Sequence, residues 1–352
     1  MINRIEKLQT ILQKENIDAF IVDTPIDLYY LLEIDLSTGA LIVFKNSAYL
    51  FVDGRYYENC KSRQDITVIL SNTQDPESFL QQKENQVVGF CSEKTSYKKY
   101  LILKEKIKNL IPCADFVSLL RMIKDEHEID LLRQAAKLGA QGFHFVHSLL
   151  REGISESEIA LELEIFWRRQ GGEKVAFQPI IAFGSNSSMP HYRAGKKCLK
   201  KDEIVLIDIG VTLRHYHSDM TRVIFFGKAS SELETIFHIV EKAKKAALSI
   251  CRPGTPVGQL DQAARQIIAE KGYGDHFTHS TGHGIGLEVH EMPTVKNRAP
   301  FDTMPLEAGM VVTIEPGIYI AGLGGVRLED TILITENGYQ NLTEEFLNSA
   351  PH

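Results

Sequence analysis

The chain has 352 residues, 43% of them hydrophobic and 24% charged, with a formal net charge of −7. Such proportions are ordinary for globular proteins and exclude disordered, collagen-like and coiled-coil architectures. Lysine and arginine are scattered apart from a short cluster at Lys197 to Lys201, so neither nucleic acid nor an anionic membrane is expected as a partner.

Two domains are expected at this length, residues 1–120 and 121–352. The first predicted element sets Ile5, Leu8, Ile11 and Leu12 on one helical face among charges, unlike the uninterrupted apolar core of an export signal. No apolar run approaches the roughly 20 residues of a membrane span. Candidate strands follow at Ala19–Val22, Ala40–Phe44, Ala48–Val52, Ile66–Leu70, Val87–Phe90 and Asp115–Val117, alternating with helices. Lys45-Asn46-Ser47 reads as a hairpin turn, and Asp53-Gly54-Arg55 ends the strand before it. This half is a small α/β domain without a catalytic constellation. Cys60, Cys91, Cys113, Cys198 and Cys251 are odd in number and lack C-x-x-C spacing, which reads as reduced structural thiols in a cytoplasm.

A long amphipathic helix is predicted from Asp125 to Leu150, with Ile129, Leu132, Ala136, Leu138 and Phe143 buried. After Arg151-Glu152-Gly153, the run Ser155-Glu156-Ser157-Glu158 is a capping box that starts a second helix ending at Gly171-Gly172. The same events recur as a helix over 231–250, Arg252-Pro253-Gly254, and a helix to Gly272. Each copy is followed by strand-like segments carrying histidines, which predicts two pseudo-symmetric halves facing one another across a cleft.

Ile204-Val205-Leu206-Ile207-Asp208-Ile209-Gly210 reads as a buried strand that contains an acid. An unpartnered ionised carboxylate there is costly, so Asp208 must be neutral, paired or bound to a metal. A lone aspartate more often closes a turn, but the design repeats. Met310 to Gly317 delivers Glu315, the alternating run Val326 to Thr331 delivers Glu329, and His217-Ser218-Asp219-Met220-Thr221-Arg222 delivers Asp219. Taken singly, Asp219 or Glu329 could pair with Arg222 or Arg327. Four carboxylates converging in a cleft would instead call for divalent cations.

An imidazole to complete such a set is supplied by His283 in Gly282-His283-Gly284-Ile285-Gly286-Leu287-Glu288-Val289-His290-Glu291, where flanking glycines let the backbone approach a ligand. A phosphate loop is a poor reading, because G-K-[ST] and a helix-opening G-x-G-x-x-G are both missing. His290-Glu291 does not continue as H-E-x-x-H, and Gly184-Ser185-Asn186 lacks G-x-S-x-G. Oxygen-rich donors with one nitrogen and no thiolate favour Mn²⁺, with Co²⁺, Fe²⁺ or Zn²⁺ also able to occupy the site.

The ordered set D-I-G, H-S-D-M-T-R, G-H-G-I-G-L-E-V-H-E, I-E-P-G and V-R-L-E-D resembles the pita-bread metallopeptidases, and the first 120 residues resemble the creatinase-type N-terminal domain of that family. The resemblance implies a pseudo-two-fold catalytic domain of mixed α/β class holding two divalent ions per chain. Asp208 would chelate one ion, Asp219 and Glu329 would bridge both, and His283 with Glu315 would complete the other. A hydroxide between the ions would be the nucleophile. Glu315 would also shuttle the proton, His191 and His290 would hydrogen-bond substrate and the tetrahedral intermediate, and Arg327 would orient a carboxylate or the substrate. Val223 stands where the family often has threonine, with little effect expected on ligation.

The extra domain argues against the methionine aminopeptidase branch and implies proline-directed cleavage. The main expectation is an Xaa-Pro aminopeptidase that removes the residue preceding proline, and the alternative is a prolidase restricted to Xaa-Pro dipeptides. A metal-free binding module is disfavoured because all five ligand positions are intact. Dimerisation, common in the family, implies a homodimer.

Overall fold

The computed structural model describes residues 4–228, 230–300 and 302–347. Its described residues divide into two compact units, one running to Arg121 and the other starting at Met122.

The first unit is a six-stranded mixed sheet with helices between its strands, in the order Thr67–Leu70, Ser47–Val52, Ala40–Phe44, Ala19–Val22, Val88–Cys91, Leu110–Cys113. Its middle strands, Ala19–Val22 and Ala40–Phe44, are buried throughout, as expected for strands covered on both faces. Pairing of Phe44 with Ser47 leaves Lys45-Asn46 as a two-residue turn. Asp53 caps the helix Gly54–Cys60 by accepting from the Arg55 N–H at 2.9 Å.

One expected strand is misplaced. The last strand is Leu110–Cys113, not 115–117, and Asp115 begins a helix by accepting from the Ser118 N–H at 3.0 Å. Pro112 argues against a strand in sequence, yet this strand lies at the sheet edge, where a missing N–H costs nothing.

The second unit opens with the helix Glu126–Leu149, which carries a reciprocal capping box between Asp125 and Glu128. Leu132, Ala136 and Leu138 are buried in it, whereas Ile129 and Phe143 are half-buried. The helix Glu156–Arg169 starts with the expected capping box at Ser155 and Glu158. Trp167 locks the two helices together, donating its Nε1–H to the Leu138 carbonyl at 3.0 Å. Gly142 makes room for that indole, since a Cβ there would lie 2.4 Å from Nε1.

Helices Ser231–Leu248 and Val257–Glu270 repeat this pairing. The same interval separates Gly153 from Gly254, Gly171 from Gly272 and Glu156 from Val257, and all four glycines have positive φ. That register supports the internal duplication expected from the sequence. An antiparallel sheet follows each pair, Met220–Phe226 with Glu203–Ile209 and Ile180–Phe183 in one half, and five strands between Glu291–Val295 and Gly338–Asn341 in the other.

Backbone pairing joins the halves where Glu329 N–H donates to the Thr221 carbonyl at 3.1 Å. Beside it Asp330 is buried between Arg222 at 2.6 Å and Lys244 at 2.5 Å. Burial alone would raise the Asp330 pKa, but the two cations hold it down at about 2. Among the described residues no helix is long and apolar enough to cross a membrane.

Candidate metal centre

Asp208 is the penultimate residue of Glu203–Ile209. Alternation along that strand sends Val205, Ile207 and Ile209 into the core of the first helix pair, and turns Asp208 to the opposite face with Leu206. Antiparallel register sets Thr221 directly opposite Asp208. Asp219, two residues before Thr221, therefore emerges beside Asp208. Gly210 and Ser218 pack so closely that a Cβ on the glycine would meet the Ser218 carbonyl at 2.2 Å.

The other half contributes His283 from the strand Gly282–Gly284, Glu315 just after Val311–Ile314, and Glu329 between Gly324–Arg327 and Asp330–Thr335. Glycines flanking His283 are required by the sheet itself. A Cβ on Gly282 would lie 1.9 Å from the Thr313 carbonyl and one on Gly284 2.1 Å from that of Met292. Small residues here allow the close approach of neighbouring strands.

Asp219, His283 and Glu329 offer donor atoms that all lie within 4.8 Å of one another. His283 Nδ1 stands 3.0 Å from the Gly284 carbonyl, which only accepts, so this nitrogen carries the proton. Nε2 then presents a lone pair 3.7 Å from Asp219 Oδ2 and 3.5 Å from Glu315 Oε1. Burial, followed by the neighbouring His290, lowers the His283 pKa to about 4, so the ring is neutral near pH 7.

Burial first, then the mutual repulsion of the carboxylates, raises Asp219 and Glu315 well above the ordinary carboxylate range and Glu329 to about 8. Asp208 Oδ1, Asp219 Oδ1 and Glu329 Oε1 are buried with no hydrogen-bond donor. Three orphaned carboxyl oxygens beside an imidazole lone pair fit divalent cations, since buried polar atoms without partners are rare in folded proteins.

Arg327 places its guanidinium inside the cluster. It donates to Asp208 Oδ2, to the Tyr319 hydroxyl at 2.5 Å and to Thr221 Oγ1 at 3.2 Å. Thr221 in turn donates to Glu329 Oε2 at 2.8 Å. Tyr319 Oη lies 2.8 Å from His279 Nε2, while His279 Nδ1 lies 2.8 Å from the Ser280 carbonyl. Burial, then the charge of Arg327, lowers the His279 pKa to about 4, leaving a neutral ring to accept from the tyrosine.

Thr221, His279 and Tyr319 were not singled out from the sequence. Tyr319 alternates with Gly317 on the strand Gly317–Ile320, and Gly317 pairs with Arg327, so the two side chains share a face, a register that only the assembled sheet reveals.

All five candidate ligands line a cavity of about 540 Å³, together with His191, His290 and Arg327. The His290 ring stands edge-on to His283 with centroids 4.3 Å apart. Burial and then the proximity of His191 depress the His290 pKa. Phe177, Ile180, Pro190 and Val289 form an apolar part of the wall. All five cysteines are free thiols, four buried and Cys198 exposed.

Comparison with known proteins gives two family matches, Metallopeptidase family M24 over residues 130–336 and Creatinase/Prolidase N-terminal domain over residues 4–123. The chain is 38% identical to a Xaa-Pro dipeptidase of Pyrococcus furiosus, covering 98% of both chains. The solved Xaa-Pro dipeptidase from Bacillus anthracis superposes with a TM-score of 0.91 at 34% identity, covering 99% of this chain and 97% of that one. An X-Pro aminopeptidase from Thermotoga maritima gives a TM-score of 0.83 at 34% identity, over 93% of this chain and 96% of that one.

Proposed function

The chain belongs to metallopeptidase family M24, with a creatinase/prolidase N-terminal domain, and from that premise we propose that it hydrolyses Xaa-Pro dipeptides. This is the alternative drawn from the sequence, and the curated relatives support it better than the main expectation, removal of the N-terminal residue from peptides with proline in the second position. The carrying observation is the full-length likeness to a Xaa-Pro dipeptidase at 38% identity. The five-residue donor set beside an apolar wall suited to a proline ring agrees with it.

Asp208, Asp219, His283, Glu315 and Glu329 would hold two divalent ions, Mn²⁺ by preference for such donors, supplying Lewis acidity and a water-derived nucleophile at neutral pH. Glu315 lies on the wall of the same cavity, where it would act as general acid and base. In this role it takes a proton from the attacking water and delivers it to the departing proline nitrogen. His290 and His191 face the same cavity and donate hydrogen bonds to the carbonyl oxygen as it gains charge. Arg327 holds the Asp208 carboxylate in place. Phe177, Ile180, Pro190 and Val289 receive the pyrrolidine ring.

The test is a parallel assay, after chelation and reconstitution with Mn²⁺, on an Xaa-Pro dipeptide, an Xaa-Pro-Xaa tripeptide and a Met-Ala peptide. Cleavage of the dipeptide with little turnover of the others is expected. Preferential cleavage of the tripeptide would return the assignment to the aminopeptidase reading, and cleavage of Met-Ala alone would overturn proline specificity.

A further inference from the structure

A dipeptidase must recognise two ends of a short substrate, and the C-terminal end is a free carboxylate. About 3.5 Å of extended chain, one residue, separates it from the scissile bond. Asp208, Asp219, Glu315 and Glu329 line this cavity and are the residues that would hold the metal ions. With those acids committed to the metal ions, the substrate carboxylate calls for a cationic donor on another part of the wall.

Among the described residues, two permanent cations line the cavity, Arg327 and Arg193. Arg327 is buried and already donates to Asp208, Thr221 and Tyr319. Arg193 is exposed, and its guanidinium has no hydrogen-bond or ion-pair partner among the described residues. It follows His191 and Tyr192 on the wall.

The segment that presents Arg193 is pinned on both sides by one carboxylate that the proposed mechanism does not use. Glu156 is wholly buried. Its Oε2 accepts from the Tyr192 hydroxyl at 2.7 Å and the Gly195 N–H at 3.1 Å, the residues flanking Arg193. Its Oε1 accepts from the Phe183 N–H at 2.8 Å and Asn186 Nδ2 at 2.9 Å, where the same segment leaves the sheet. Ser187 ties the segment to the other half of the catalytic unit by accepting from the Gly325 N–H at 2.8 Å. These bonds hold the backbone that carries Arg193 in place, so that only its side chain remains to be ordered on binding.

We propose that Arg193 is the specificity residue of this cavity, its guanidinium receiving the free α-carboxylate of the C-terminal proline in an Xaa-Pro dipeptide. The inference rests on the dipeptidase reading. It assigns to Arg193 the discrimination between a free acid and a chain that continues past proline, because a guanidinium pairs with a carboxylate in a fork that an amide cannot match.

The experiment compares kcat/KM of the Mn²⁺-loaded full-length enzyme on Ala-Pro and on Ala-Pro amide, substrates with the same scissile bond and different terminal charge. Wild type is expected to favour the acid about 10- to 100-fold, the range of a charge-assisted hydrogen bond. Arg193→Ala should bring the ratio close to one, chiefly through a higher KM for the acid, and Arg193→Lys should restore part of it. Lys196→Ala removes an equal charge from an exposed neighbouring position outside the cavity lining and should keep the wild-type ratio. A wild-type preference that survives in Arg193→Ala overturns the proposal and leaves the dipeptidase reading standing. Equal turnover of acid and amide by the wild-type enzyme overturns both.

Discussion

Removing the metal ions should make the catalytic unit lose stability as pH rises, and restoring them should abolish that loss. Glu329 has a folded-state pKa of about 8 against an ordinary value of 4.5, raised by burial and then by Asp208. A carboxyl group with a raised folded pKa binds its proton more tightly in the folded chain. Its contribution to stability is complete below about pH 4.5 and disappears as pH rises through about 8. The difference between those two values corresponds to something on the order of 5 kcal/mol from this one group. Asp219 and Glu315 act in the same direction.

Bound cations neutralise the same charges, so the loaded protein should not show this decline. The gap in melting temperature between loaded and chelated protein should therefore widen from pH 5 to pH 8–9, reaching roughly 10–20 °C for a domain of this size. Calorimetry at fixed ionic strength, with excess chelator or with Mn²⁺, measures it directly. Parallel pH profiles for the two samples would refute the reasoning, since the buried acids would then have another source of compensation.

Asp219→Asn should raise the melting temperature of the chelated protein near pH 8, because it removes one of the repelling anions, and should lower kcat by at least about 100-fold. Thermal unfolding and steady-state turnover on one preparation check both signs. Arg327→Lys should weaken the metal site as well as the fold, because a lysine ammonium cannot reproduce a planar fork that serves Asp208, Tyr319 and Thr221 together. The expected loss is about 2–4 kcal/mol in urea unfolding, within the range for breaking buried charge pairs, with a lower Mn²⁺ affinity by titration calorimetry.

Much of the fold was legible because its signals are local. Capping at Ser155 and Glu158, glycines after each helix, and apolar runs at Ala19–Val22 and Ala40–Phe44 need no tertiary information. The misplaced strand shows where local reading stops. Pro112 is tolerated because Leu110–Cys113 is an edge strand, and edge position is a property of the assembled sheet. Gly282 and Gly284 show the same limit, for their need is set by Thr313 and Met292 on neighbouring strands.

The candidate site was legible for a related reason: an acid inside an apolar strand contradicts its surroundings, and four such contradictions in one chain need a common explanation. What sequence left open was the pairing of acids with cations. Glu329 and Asp330 are adjacent, both buried, and both close to arginines in sequence. In three dimensions Asp330 turns to Arg222 and Lys244 and is held down at about 2. Glu329 turns toward the carboxylate cluster and rises to about 8. Arg327, two residues away, is taken by Asp208 instead. Neighbours of the same type thus end on opposite sides of the ordinary carboxylate range, one joining two halves of a fold and the other facing the candidate metal site. The deciding quantity is how many cations the fold sets beside each acid, which no single-residue preference encodes.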